Sequence, residues 1–464
     1  MKTATGSSGG GDRVRIAVKT EGGAEREVPL VIGVLSDLLG TPREGAATPR
    51  GFEEVEIGTL GRFLAGVRPR IAFAVPDPAR DGQARPVELG FASLADFTPA
   101  AVAGRAGPGD REWLALILGH EEFRRIEAAW LGLRYLLERT AGIEGLRVRV
   151  LPIAKRDLVA GAGDDPDGHR SARLFRLVCE ETYGLPGGEP FACLVGDFAF
   201  DHSPEDVRIL STVARIAAEA HAPFVAGAAP TLFGAGSWAE VAGLTAVAKA
   251  LDGPRHAAWR ALRREDSSRY VALTMPRLLL RAPAGDRLAL HGNAAFALAA
   301  NVARAHALKG WCARIRGPEA GGAVEGRPEH SPPPDGGWTN PAETALTERA
   351  EPDLVRCGLL PLVQARGQDL AVFFSTQTLF EPPLADGIAE TATAILSSRL
   401  HCILPCCRFV HALKILVRDR LDSFRDRARM EEELNLWLSR FVEPDPAREP
   451  GPGRPLSAAS VSLR

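Results

Sequence analysis

Apolar positions along this chain follow two rhythms, and the switching between them points to the architecture. Near the start Val14, Ile16 and Val18 fall on one side while Arg13, Arg15 and Lys19 fall largely on the other, the period-two pattern of a half-buried strand near a sheet edge. After a Gly22–Gly23 turn, VPLVIGVLSDLLG at 28–40 is a nearly continuous apolar segment, and RPRIAFAV at 68–75 is a further strand. VELGFASLADFTPAAVA at 87–103 predicts a strand running into a helix, with Asp96, Thr98 and Pro99 supplying cap and first turn. One long helix is expected over roughly 112–139, because Phe123, Ile126, Trp130, Leu133 and Leu137 recur at spacings of three and four. FACLVG at 191–196 predicts a buried strand. Ser203 then caps a helix that opens with Pro204, carries Val207, Leu210, Ala214 and Ala217 on one side, and stops before Pro223 and another strand. This strand–helix–strand order predicts an α/β fold.

Composition narrows the function classes. A chain of 464 residues has room for two to four domains, and its 45% apolar and 25% charged residues are ordinary for a globular protein. The 56 Lys+Arg against 58 Asp+Glu leave no basic excess with which to hold nucleic acid or an anionic membrane. No uninterrupted apolar run approaches the ~18 residues of a membrane span, so no membrane insertion is expected. The segment MKTATGSSGGGD at 1–12 lacks the apolar core of a secretory signal and reads as a flexible tail. Seven sparsely placed cysteines suit a reducing compartment, hence a cytoplasmic location. Residues 317–345, with SPPPDGG at 331–337, read as a loop or linker.

Candidate chemistry is thin. None of the six lysines follows a glycine, so no phosphate loop exists, and no G-x-G-x-x-G occurs. His401–Cys402, Cys406–Cys407 and His411 have helical spacing for zinc, yet Pro405 interrupts them and small buried thiols explain the cluster more simply. GAGDDPDG at 161–168 lacks the full ligand set of a calcium loop. Asp197, Asp201, His202 and His221 could form an acid–base pair, but their places at strand and helix ends fit caps equally well. No catalytic, cofactor or metal residue is therefore assigned.

Recognisable motifs say more. PLVIGVLSDLLG at 29–40, the stretch from Phe52 to Ile57, the Pro69–Arg70 strand and SLADFTPAAVA at 93–103 follow in the order seen in the small sheath subunit of the bacterial type VI secretion system. HEEFRRIEAAWLGLRYLL at 120–137, GEPFACLVGDFAFDHSPEDV at 187–207, HAPF at 221–224 and RFVHALKILVRDR at 408–420 resemble its large sheath subunit. Leu131, Ala350, Leu359, Ala412 and Asp422 depart from that pattern. The resemblance implies a fusion with α/β contractile-tail-sheath-like domains, their mixed sheets flanked by helices. A small-subunit-like domain would occupy 13–107, a large-subunit-like N-terminal region 108–316, and a shortened large-subunit-like C-terminal region 346–464, with the short junction AGRAGPGDRE at 103–112.

The function so implied is mechanical and needs no cofactor. Copies would form a helical sheath of stacked hexameric rings around an inner-tube protein, on a baseplate, and contract to propel the tube. Strands of neighbouring protomers would pair through Val14, Ile16 and Val18 at one end and Val461 and Leu463 at the other. Recycling by the usual AAA+ ATPase is doubtful, because the helical extension that it grips in the family has no counterpart before Trp113. A non-contractile scaffold built from sheath parts, or a hydrolase or metal-binding enzyme, are the alternatives.

Overall fold

A computed structural model of the chain describes residues 14–463 except 20–24, 42–48, 79–82, 108, 164, 166, 186, 245–246, 284–286, 326–339, 347, 366–369, 384–386, 421–426, 446–447 and 449–453. The apolar run expected near residue 30 is β3 (Leu30–Ser36), a strand buried along its whole length. It is apolar up to Ser36 because it needs two apolar faces: among the described residues it lies inside a nine-stranded sheet. Across that sheet the order is β13 (Ala323–Glu325), β15 (Leu370–Phe373), β14 (Leu359–Gln364), β10 (Val271–Met275), β9 (Phe224–Ala228), β8 (Phe191–Phe200), β3, β7 (Leu146–Pro152) and β4 (Glu53–Glu54). From β14 to β7 every pairing is parallel, and β13, β15 and β4 run antiparallel at the edges.

The period of two along β3 sorts its side chains between two apolar layers. Leu30, Ile32 and Val34 join the cluster beneath α4 (Glu121–Thr140) and α6 (Ala295–Lys309), while Val31 and Leu35 join the one beneath α5 (Pro204–Ala220). The stripe expected on α4 is the core itself, since Phe123, Ile126, Trp130, Leu133 and Leu137 are all at most 1% exposed. Where α4 crosses α6, a Cβ on Gly132 would lie 2.4 Å from the ring of Phe296, so only glycine permits this approach. Ser203 caps α5 as expected, accepting from the Asp206 N–H at 3.3 Å.

Two expectations change. The single helix over 112–139 is two, α3 (Arg111–Gly119) and α4, because His120 is extended between them and its Nδ1 caps the Glu122 N–H at 3.2 Å. A ring that stacks on Phe73 at 3.9 Å and caps a helix leaves no trace in hydrophobic periodicity. Within the expected linker at 317–345, β13 is a strand on the edge of the main sheet, paired with β15 and burying Val324. SPPPDGG lies outside the described residues.

The described residues up to 107 do not pack apart from the rest. α1 (Leu60–Val67), the hairpin of β5 (Arg70–Pro76) and β6 (Ala84–Gly90), and α2 (Pro99–Arg105) put Phe63, Ile71, Val87, Phe97 and Val102 into the cluster that holds α4. Phe63 meets Trp130 at 5.8 Å between ring centroids.

Candidate assembly interface

All five residues expected at the ends of the chain converge. β1 (Ala17–Lys19) pairs antiparallel with β2 (Glu25–Glu27) in a two-stranded sheet outside the main one. The alternation seen in the sequence decides what it buries: Val14, Ile16 and Val18 are 3%, 3% and 5% exposed, packed with Phe409, Ile415 and Leu416 of α8 (Leu400–Arg420) and Leu434 and Leu438 of α9 (Arg427–Ser439). Val461 and Leu463 rest half-buried on the same cluster. Neither lies in a strand. Val461 is clasped by the Asn435 amide, whose Nδ2 donates to its C=O and whose Oδ1 accepts its N–H, both at 2.8 Å, while the Leu463 N–H donates to Glu431 Oε2 at 3.1 Å. The apolar faces named for pairing between copies are thus turned inward here.

One edge of β1 is used within the chain and the other faces away from β2. The Val28 N–H donates to the Ile16 C=O at 2.9 Å, and this register turns the Ala17 N–H outward. The Ala17 C=O accepts from Trp437 Nε1 at 3.0 Å. Exposed Leu436 stands beside Trp437 on α9, and exposed Leu308 beside Lys309, whose C=O accepts the Val14 N–H at 2.9 Å.

What joins this unit to the α/β core was missed from sequence. Along one face of α8, Arg408, His411, Lys414 and Arg418 each donate to main-chain carbonyls. Arg408 takes Val28 and Pro29 at 2.5 and 2.9 Å, His411 Nε2 takes His221 at 3.0 Å, Lys414 takes Glu219 at 2.9 Å, and Arg418 takes Gly188 at 2.9 Å. Glu219 and His221 close α5, where the helix dipole presents negative charge. Burial, with Lys414 beside it, pushes His221 down to about 4, and burial holds His411 well below the usual imidazole range. The spacing of 408, 411, 414 and 418 was visible as one helical face, but not that it would be buried.

The fold also gives each residue of the candidate chemistry its place. Asp197 opens onto a cleft at the carboxyl end of β8, held by Ser36 Oγ at 2.8 Å and raised to about 6 by burial, whereas His221 precedes β9 at the opposite end of the sheet. Asp201 accepts from Thr231 Oγ1 at 2.6 Å and from the Ser203 N–H at 2.8 Å, as caps do. The His202 ring lies tilted against that of His256, their centroids 4.3 Å apart. His401 Nδ1 meets Thr376 Oγ1 at 2.5 Å, Cys402, Cys406 and Cys407 are free thiols, and no group of three possible metal ligands occurs among the described residues. Asp164 of the glycine-rich acidic stretch lies outside the described residues. By length and hydropathy Leu400–Asp419 is long and apolar enough to cross a bilayer, but in the fold 61% of that stretch is buried, like the core helix of a globular protein.

Comparison with known proteins gives this architecture its family. The model for EvpB/VC_A0108, tail sheath N-terminal domain, matches residues 111–289 and 284–380. The model for its tail sheath gpW/gp25-like domain matches 389–464. The model for type VI secretion system, VipA, VC_A0107 or Hcp2, matches 10–108. The chain is 38% identical over 382 residues to the type VI secretion system sheath protein TssC1 of Pseudomonas aeruginosa (strain PAO1), covering 75% of each. It is 39% identical over 85 residues to the sheath protein TssB1 of the same organism, which is 18% of this chain and about half (49%) of that relative. The helical sheath of the anti-feeding prophage in its contracted state is a looser likeness, with a TM-score of 0.41 and 10% identity over 95% of this chain and 84% of the other. By the large-subunit models and TssC1, with a region of the small-subunit kind in front, the chain belongs to the type VI secretion system sheath proteins, a structural and not an enzymatic family.

Proposed function

We propose that this one chain is the whole protomer of a contractile sheath, polymerising in stacked hexameric rings around an inner tube and contracting to propel it. The position of β3 carries the reading. A strand from the small-subunit-like region lies between β7 and β8 of the large-subunit-like regions, so the two subunit kinds fold as one body. Its partners are other copies of itself, an inner-tube protein and a baseplate, in the cytoplasm, with no cofactor, nucleic acid or membrane insertion required.

Copies join by strand addition at the outer edge of β1, where the Ala17 N–H is turned outward, and at the C-terminal segment that holds Val461 and Leu463, whose bonds to Asn435 and Glu431 an added strand would replace. The work of contraction is the free-energy difference between two packings of the same protomers. Recycling by an AAA+ ATPase is inefficient, because α3, which stands where a gripped extension would be, buries Trp113 and Ile117. Negative-stain electron microscopy of the purified full chain tests the reading. Striated tubes are expected; small monodisperse particles would instead identify a non-contractile scaffold.

A further inference from the structure

Two thiols of this chain stand apart from the other five. Cys179, Cys193, Cys312, Cys357 and Cys407 are buried, whereas Cys406 is exposed and Cys402 partly so. Both belong to α8. At a spacing of four they share one face of the helix, with Cβ atoms ~5–6 Å from each other. That face turns away from the core: at 3.6 residues per turn it lies roughly 150° around the helix from the mean direction of Arg408, His411, Lys414 and Arg418, which hold the carbonyls. The turn between the two thiols lacks a hydrogen bond, because Pro405 has no N–H to give the His401 C=O.

The charges around the pair suit a cation between the sulfurs. Burial raises the Cys402 thiol, the neighbouring Cys406 raises it further, and the guanidiniums of Arg316 and Arg399 lower it. Two thiolates side by side repel, and a cation held between them removes the repulsion. Coordination number decides which cation. Structural zinc takes four ligands, an iron–sulfur cluster four thiolates, and Mg²⁺ or Ca²⁺ oxygen atoms. Here the neighbours are committed elsewhere: His401 Nδ1 meets Thr376 Oγ1 at 2.5 Å, Cys407 is buried, and no group of three possible metal ligands occurs among the described residues. Monovalent copper is the soft ion that two thiolates satisfy, in a linear S–Cu–S arrangement. Such a complex carries one negative charge, which Arg316 and Arg399 offset. Arg399 lies in the link from α7 (Ile388–Leu396) to α8, and its Nη1 donates to Ser375 Oγ at 2.8 Å.

We infer that Cys402 and Cys406 form a two-thiolate site for Cu(I) on the outer face of α8. Each thiol gives up its proton as its sulfur takes the ion, and no electron is transferred. The bound ion bridges the turn that Pro405 leaves open. The site belongs to the folded chain and does not depend on the sheath reading.

The test is anaerobic titration of the reduced full chain with Cu(I) in competition with bicinchoninate, whose colour reports the copper it keeps. One Cu(I) per chain withdrawn from the competitor is expected. In the same samples N-ethylmaleimide should label Cys402 and Cys406 without copper and neither with it, as read by mass spectrometry of their peptides. Cys402→Ser and Cys406→Ser should each weaken binding at least a hundredfold with circular dichroism unchanged, since both side chains reach solvent. If a variant fails to fold, the labelling of the wild-type chain decides by itself. No copper withdrawn, copper held by a folded variant as tightly as by the wild type, or copper that leaves both cysteines open to labelling overturns the inference. So does half an equivalent per chain with the chains paired in sedimentation, which would place the ion between copies.

Discussion

Single side chains hold the ends of this protein in place, and their chemistry sets what each substitution should do. Asn435 makes both main-chain hydrogen bonds to Val461, so Asn435→Ala frees a donor and an acceptor at once. At about 1 kcal/mol for each bond, roughly 2 kcal/mol is available to lose. Faster hydrogen exchange at the Val461 amide is the expected result, with protection in β3 unchanged. His221 and His411 give a second handle through pH. Both are held neutral by burial, His221 down to about 4, whereas an unfolded histidine titrates near 6.5. The unfolded state therefore takes up protons first: their contribution is complete above pH ~6.5 and is lost as pH falls toward 4. Asp197, raised to about 6, acts oppositely, since its contribution is present at low pH and lost as pH rises from its unfolded value of 3.8 toward 6. In Asp197→Asn the midpoint of thermal unfolding should thus fall more steeply between pH 6.5 and 4.5 than in the wild type. A slope equal to the wild type's would mean that Asp197 is not held protonated.

Among the elements, β1 is where fold and assembly meet. Its inner face is committed to α8 and α9, so a proline at Ile16, which looks from sequence like a test of contacts between copies, would also disturb the cluster inside the chain. Ala17→Pro is the cleaner substitution, because that N–H points away from β2. Sedimentation should show assembly reduced at least tenfold, while the circular dichroism of the monomer is retained. Polymer at the wild-type level would exclude strand addition at this edge.

For the molecule as a whole, the placement of β3 makes the two sequence halves interdependent. Residues 108–464 expressed alone would carry β7 and β8 with their shared neighbour missing. Insoluble or aggregated protein is expected, rescued when 1–107 is co-expressed and recovered as a 1:1 complex. Soluble, folded 108–464 that does not bind 1–107 would show the halves to be independent domains.

Much of this was legible in the order of residues, because the signals involved are local. The buried stripe from Phe123 to Leu137, the cap at Ser203 and the alternation of Val14, Ile16 and Val18 each follow from the geometry of one element, and the ordered motifs by themselves point to the family. The break at His120 escaped notice because a capping imidazole has no hydrophobic period. Only the tertiary structure decided that β3 is shared between the two halves, that Val461 and Leu463 meet β1, and that Arg408, His411 and Lys414 hold carbonyls instead of facing water. Each of those partners lies more than a hundred residues away, and side-chain periodicity shows which face of an element is apolar but not what covers it.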